Sequence, residues 1–327
     1  MFKRSMGVAV AMLIMAGVMV GGCGSSGSSA GSDSPRIGVI QPVEHPALDA
    51  SVKGFVDGLA ERGYKEGQNI TIDRQNAQGD HANMESIANR FVADNDKLVF
   101  AVATSAAQVM ANKTKDIPIV GAAIFDYKKA DLIKDMKAPG TNVTGVTNFN
   151  PLEKQVDLIL KVMPSVKEIG VVYASSEVNS QAQIEAFKAY AAKKGLNVTE
   201  GTITSVNDIQ QVAQNLVNQG VKAIFVPTDN LVASAMPNLT AVTDAAKVPV
   251  FIADDNLLSG GGLMGYTVDY YKLGVQAGHM AADILDGKKK PQDMPIQMQD
   301  MMKLAINNSQ LRKLGITVPA DVPKEAK

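Results

Sequence analysis

A chain of 327 residues is long enough for two ordinary domains, and 46% hydrophobic residues supply the apolar surface for two packed cores. Its 32 basic and 33 acidic residues leave a formal charge of −1, which excludes a global field drawing the chain to nucleic acid or anionic lipid. A single cysteine excludes an internal disulfide framework, and three scattered histidines, His45, His81 and His279, argue against a Cys/His metal site, so neither metal nor cofactor is expected.

Lys3 and Arg4 precede an apolar run from Val8 to Val20, and then come Gly21, Gly22 and Cys23. The pattern resembles the lipobox of bacterial lipoprotein signal peptides, whose small residues admit a peptidase to the bond before the cysteine. The run is shorter than the roughly 20 apolar residues that a membrane-spanning helix wants. Residues 1–22 are therefore expected to be a signal peptide and Cys23 the lipidation site. From Gly24 to Ser34 the chain is almost entirely Gly, Ser and Ala, so 23–34 reads as a lipidated flexible tether on the outer face of a cell membrane.

The body opens with the apolar strand Arg36-Ile-Gly-Val-Ile, followed by Leu48, Val52, Phe55, Val56 and Leu59 at helical spacing. That helix stops at Arg62-Gly63, and Asn69-Ile-Thr-Ile-Asp reads as the next strand. Leu98 to Ser105 is an apolar strand ending in polar residues that open a helix, and Ile-Pro-Ile-Val around Pro118 is another strand. The plan then repeats. Ile169-Gly-Val-Val-Tyr173 lies 132 residues after the first strand, Lys222 to Asp229 matches Leu98 to Ser105, and Pro249 follows Pro118 by 131 residues. Apolar strands alternating with helices predict an α/β fold of two doubly wound parallel-sheet lobes. The chain is expected to cross between lobes near Asn148–Pro151, again near Gly262–Tyr266, and a third time before Lys303, making a three-segment hinge. The first lobe would hold 35–148 with about 264–297, the second 149–263 with about 298–327.

Lipobox, tether, duplicated lobes and the segments Ala103-Thr-Ser-Ala-Ala, Pro227-Thr-Asp-Asn and Asp254-Asp-Asn together resemble the ABC-transporter solute-binding lipoproteins of the tryptophan/tyrosine-type family. The resemblance covers Arg36 to about Val318. It implies a type I periplasmic-binding-protein fold, an aromatic amino acid as ligand, an ABC permease with its ATPase as partners, and a monomer that performs no reaction.

In open parallel sheets, ligands sit beyond the carboxyl ends of the strands. For a ligand carboxylate, Thr104, Ser105 and Ala106 lie where a strand turns into a helix, at the positive end of its dipole. For an ammonium, Thr228, Asp229 and Asn230 occupy the matching strand end of the second lobe, and Asp254 and Asp255 end the next strand; Asp229 and Asp255 are favoured over Asp254. An N-cap role competes at each acidic position. Phe125 and Tyr173 are placed to stack on a flat side chain, against a competing role as core aromatics. Glu177, Asn179 and Ser180 follow Tyr173, while Tyr266 and Asp269, with Tyr270, belong to the returning segment. His45 lies in the first strand-to-helix loop, on the cleft rim.

Enzymatic classes find little support. The first strand runs into Gln-Pro-Val-Glu-His instead of a glycine-rich dinucleotide turn, and Gly260–Gly262 lacks the Lys and Ser/Thr of a phosphate loop. The pattern Gly-x-Ser-x-Gly occurs at Gly27–Gly31, inside the flexible tether and not between a strand and a helix, so no nucleophile elbow is expected. A ligand-presenting sensor for a membrane receptor, or an importer component for branched-chain amino acids or purines, fits the same lobes.

Overall fold

The computed structural model describes residues 34–299 and 302–326. The signal peptide, Cys23 and all but the last residue of the tether lie outside them. Residues 34–327 form one compact unit.

Two sheets are built from the same plan. The first comprises β1 (Arg36–Gln41), β2 (Thr71–Asn76), β3 (Leu98–Val102), β4 (Ile119–Ile124) and β5 (Val143–Thr147), joined through α1 (Pro46–Glu61), α2 (His81–Ala93) and α3 (Thr104–Lys113). After α4 (Leu152–Val162), the second comprises β6 (Glu168–Ala174), β7 (Asn197–Ile203), β8 (Ala223–Val226), β9 (Val250–Ile252) and β10 (Met264–Thr267). Its strands are connected by α5 (Val178–Lys193), α6 (Ile209–Asn218), α7 (Asn230–Ser234) and α8 (Met236–Ala245). The chain then forms α9 (Tyr270–Leu285), β11 (Gln297–Met298), β12 (Met302–Ile306), α10 (Asn308–Leu314) and β13 (Glu325–Ala326). The strand orders are β11-β5-β4-β3-β1-β2 and β13-β12-β10-β9-β8-β6-β7. β1 to β5 and β6 to β10 therefore occupy corresponding places, as the repeat predicts. All pairings are parallel except those of β12 with β10 and β13.

The strands read as continuous apolar runs because both faces are covered: every residue of β3, β4, β8 and β9 is buried. Stacked ring pairs, Phe55 on Phe100 and Phe187 on Phe225, occupy corresponding positions in the two cores.

The second crossing comes later than the glycine run suggests. Met264–Thr267 pairs with β9 and β12, so it belongs to the second sheet, and the chain leaves that sheet at Val268. The run does not supply a hinge because its glycines are packing positions. A side chain at Gly260 would meet Met236, and one at Gly262 would meet Ile252 and the Leu257 carbonyl. The first crossing lies at Asn148–Pro151, between β5 and α4, and the third between β11 and β12.

Glycines also set the distance between α1 and α9, which run parallel and side by side. A Cβ on Gly54 would strike the Tyr271 carbonyl, and one on Gly58 the Val275 carbonyl. In the other direction, Gly274 faces the Ser51 carbonyl and Gly278 that of Phe55. The two backbones touch, which fixes the N-termini of both helices at one end. Those N-termini carry His45 and Tyr270.

Candidate functional site

In each sheet the strand order reverses between the first and third strands of the repeat, so the loops after β1 and β3 diverge and leave a crevice, as do those after β6 and β8. The two crevices face each other. His45, Leu48, Ala123 and Asn148 from the first side, with Thr228, Asp229, Asn230, Asp254 and Tyr270, enclose a cavity of about 10 Å³, room for a group the size of one water.

On the second side the polar groups are held by one another. The Asp229 carboxylate caps α7 by accepting from the Val232 amide at 2.9 Å through Oδ1. Its Oδ2 accepts from the Ala174 amide and from Ser180 Oγ, both at 2.7 Å, which fastens the loop after β6 to the loop after β8. Behind it, Asn179 Nδ2 donates to the Thr228 carbonyl at 2.9 Å, and Gln183 Nε2 donates to Thr228 Oγ1 at 2.6 Å. Glu177 accepts from the amides of Asn230 and Leu231 and from Asn230 Nδ2 at 2.8 Å. Burial and then the Asp229 charge push the Glu177 carboxyl up, against these donors. Burial pushes Asp229 up as well.

Asp254, 3% exposed, caps the turn Asp255–Leu258: its Oδ1 accepts from the Asn256 amide and from Asn256 Nδ2, both at 2.9 Å. Its Oδ2 accepts no hydrogen bond among the described residues. Burial raises its carboxyl, opposed by the charge of nearby His45.

The first side differs. Ala103 and Ala123, at the ends of β3 and β4, have φ of 75° and 58°, a region that non-glycine residues rarely enter. Beside Ala103, Thr104 is buried at the start of α3 with no partner for Oγ1. Asn148, 2% exposed, donates from Nδ2 to Tyr270 Oη at 3.1 Å, and its Oδ1 is unpartnered. Burial raises the Tyr270 hydroxyl well above its ordinary value, and the charge of Asp254 adds to this.

One bond at the cavity joins the sides directly: His45 Nε2 lies 3.2 Å from Asn230 Oδ1. Since Asn230 Nδ2 donates to Glu177, Oδ1 is the atom turned to His45, and Nε2 must carry the proton. Farther out, Lys129 pairs with Glu185 at 2.9 Å on the surface.

Of the residues expected at the site, His45, Thr228, Asp229 and Asn230 line the cavity. Glu177, Asn179 and Ser180 hold the turn behind it. Asp255, favoured from sequence, is exposed outside, and Asp254 takes the inward place because it ends β9 and caps the following turn. Tyr173 is turned away, since its hydroxyl donates to Glu200 of β7 at 2.6 Å. Tyr266 is likewise drawn off, donating to the Pro323 carbonyl at 2.8 Å, and Asp269 caps α9 by accepting from the Lys272 amide. Ala106 is core. Phe125 lies outside the cavity, stacked on Phe149 with centroids 5.3 Å apart. Ser105 lines a different, surface groove of about 980 Å³ along α3, whose charged residues Lys115, Asp116, Asp131 and Lys134 are exposed. Asn148 was missed by sequence reasoning. Its one signal was its place at the first crossing.

Two similar parallel-sheet lobes that meet over a small polar cavity define the type I periplasmic-binding-protein class. The chain belongs to the ABC transporter substrate binding protein family, whose model matches residues 36–327. It is 38% identical to a tyrosine-binding protein of Clostridioides difficile (strain R20291) over 317 residues, covering 93% of this chain and 91% of that one. Among solved structures, an ABC domain in complex with L-Trp from Streptococcus pneumonia superposes with a TM-score of 0.85 at 42% identity, over 88% of this chain and 97% of that one. The ligand-free, open structure of a substrate binding protein with adhesive properties from Clostridium difficile has the same identity and coverage, and a TM-score of 0.67. Among the described residues, no His, Cys, Asp and Glu side chains cluster as metal ligands, and no helix is long and apolar enough to cross a membrane.

Proposed function

We propose that this protein is the extracytoplasmic solute-binding component of an ABC importer, that it captures an aromatic amino acid between its lobes by hinge closure, and that it delivers the ligand to the permease. The observation that carries the reading is the contrast between the two solved relatives. They are equally similar in sequence, yet the ligand-bound one superposes far better than the open one. That difference supports a closed arrangement here, with His45 and Asn230 in contact across the cleft. Ligand favours the closed state because it binds residues of both lobes only there, and the permease reads the resulting shape.

The charges are disposed for a zwitterion. On the first side the N-terminus of α3, with the unpartnered Thr104 hydroxyl, receives a carboxylate. The second side presents carboxylates to an ammonium. Phe125 and Phe149, stacked on each other, offer an apolar face to the ligand ring. Cys23 carries the lipid that holds the body at the membrane, and replacing Cys23 with Ser should abolish incorporation of labelled fatty acid.

The test is a thermal-melt screen of residues 34–327, stripped of ligand by unfolding and refolding, against the twenty amino acids, nucleobases and sugars. A ligand at 100 times its dissociation constant adds about 2.7 kcal/mol and raises the melting temperature by several degrees. A shift confined to tyrosine, tryptophan or phenylalanine is the expected result; a shift with another compound alone would replace the cargo.

A further inference from the structure

The cavity between the lobes has an unbalanced lining. It carries two buried carboxylates, Asp229 and Asp254, and neither Lys nor Arg; His45 is its sole basic side chain. Hydrogen bonds hold both carboxylates, but no Lys or Arg balances their charge, so the cavity suits a cationic group. Three acceptor atoms have capacity left. Asn148 Oδ1 is buried and unpartnered, Asp254 Oδ2 accepts nothing among the described residues, and Asp229 Oδ1 accepts only from the Val232 amide. Three acceptors around a space that admits one water-sized group match the three N–H donors and the size of a primary ammonium.

Asn148 occupies a particular place among them. It lies on the first crossing, and its Nδ2 is tied to Tyr270, the first residue of α9 after the second crossing. Nδ2 donates to Tyr270, and Oδ1 is left for a donor. Asp254 reaches the same cavity from the second sheet.

We propose that a primary ammonium of the ligand is held jointly by Asn148 Oδ1 at the hinge and Asp254 Oδ2 of the second sheet, with Asp229 Oδ1 as third acceptor. The group that marks the ligand as an amino acid thus also bonds the moving lobe to the hinge. This rests on the reading of the protein as an aromatic amino-acid binder and adds the atoms that recognise the amine.

The experiment is calorimetric titration of residues 34–327 with L-tyrosine, L-tryptophan and their des-amino acids, 3-(4-hydroxyphenyl)propanoate and 3-(indol-3-yl)propanoate. The readout is the ratio of each amino acid's affinity to that of its des-amino partner. The intact protein is expected to prefer the amino acids by at least about 100-fold, as a site built to bond a donor rejects the analogue lacking it. Asn148→Leu and Asp254→Asn should each cut that ratio by about tenfold or more. Tyr270→Phe removes the Nδ2 partner and leaves Oδ1, so it separates hinge damage from amine recognition: it is expected to weaken amino acids and des-amino acids alike, leaving the ratio near its original value. Intact protein that binds both forms equally, or Asn148→Leu and Asp254→Asn variants that keep the original ratio, would overturn the ammonium site while the aromatic cargo stands. Intact protein that binds none of the four compounds overturns the cargo reading and this site with it.

Discussion

The turns after β3 and β8 occupy the same place in the two repeats, yet they are built in opposite ways. After β8, Thr228 and Asp229 are held by Gln183, Asn179, Ser180 and the Ala174 and Val232 amides, with Asp229 Oδ1 accepting from Val232 alone among the described residues. After β3, Ala103 is held at positive φ and the buried Thr104 hydroxyl has no partner. One turn has used most of its polar groups on its own fold, and the other keeps its hydroxyl free. A binding protein needs both kinds: a saturated turn holds its shape when the lobes part, while an unsaturated one gains bonds when ligand arrives.

The packing that aims the first side can be broken most severely. Gly274→Val drives a side chain into the Ser51 carbonyl and pushes α9 off α1, so we expect a loss of about 3 kcal/mol, visible as a melting-temperature drop of several degrees. A wild-type melt would mean that the two helix N-termini are not held by this contact.

Substitution at the two equivalent turns sharpens the contrast itself. Asp229→Ala orphans three buried donors and should cost about 2–3 kcal/mol in denaturant unfolding. Thr104→Val removes a hydroxyl that bonds nothing in the fold, so stability should stay within about 1 kcal/mol of wild type, while affinity for an amino acid falls about tenfold. Equal stability losses at both positions would erase the distinction.

His45→Ala removes the side-chain bond that joins the sides at the cavity. Ligand-free protein should then shift toward an open form with a larger radius of gyration in small-angle scattering, and ligand affinity should fall by about fivefold.

The smallest effect lies away from the cleft, in the first lobe. Burial pushes the Asp96 carboxyl up to about 6, with Arg36 opposing. An acid whose folded value exceeds its unfolded one binds more protons when folded, so this group favours the fold at low pH. Its contribution is lost as pH rises from about 4 to about 6. Comparing melts at pH 4, 5, 6 and 7, Asp96→Asn should flatten that decline.

Much of the fold was legible because its signals are periodic and local. The apolar runs at Ile37 and Leu98 recur in the same order at Ile169 and Ala223, the helical spacing from Leu48 to Leu59 lies between strands, and strand ends follow from where the apolar run stops. That placed His45, Thr228, Asp229 and Asn230 at the cavity. It misread Tyr173, because a residue at a strand end faces either the cleft or a flank, and Glu200 on the neighbouring strand drew the hydroxyl to the flank. It placed the second crossing near Gly262–Tyr266, too early, because close packing and conformational freedom both call for glycine. It preferred Asp255 to Asp254 because adjacent carboxylates in one turn differ only in direction.

The sequence by itself determined the duplicated α/β plan, the strand ends at which a ligand must lie, and the near-neutral charge that turns attention from global field to local groups. Only the tertiary structure decided which of those groups meet. The contact of His45 with Asn230 spans 185 positions, that of Asn148 with Tyr270 spans 122, and the acceptors left on Asn148 and Asp254 are defined by bonds their neighbours have already taken. Residue types and spacing fix what a side chain is able to bond, whereas the assembled fold fixes which of those bonds remain to be made.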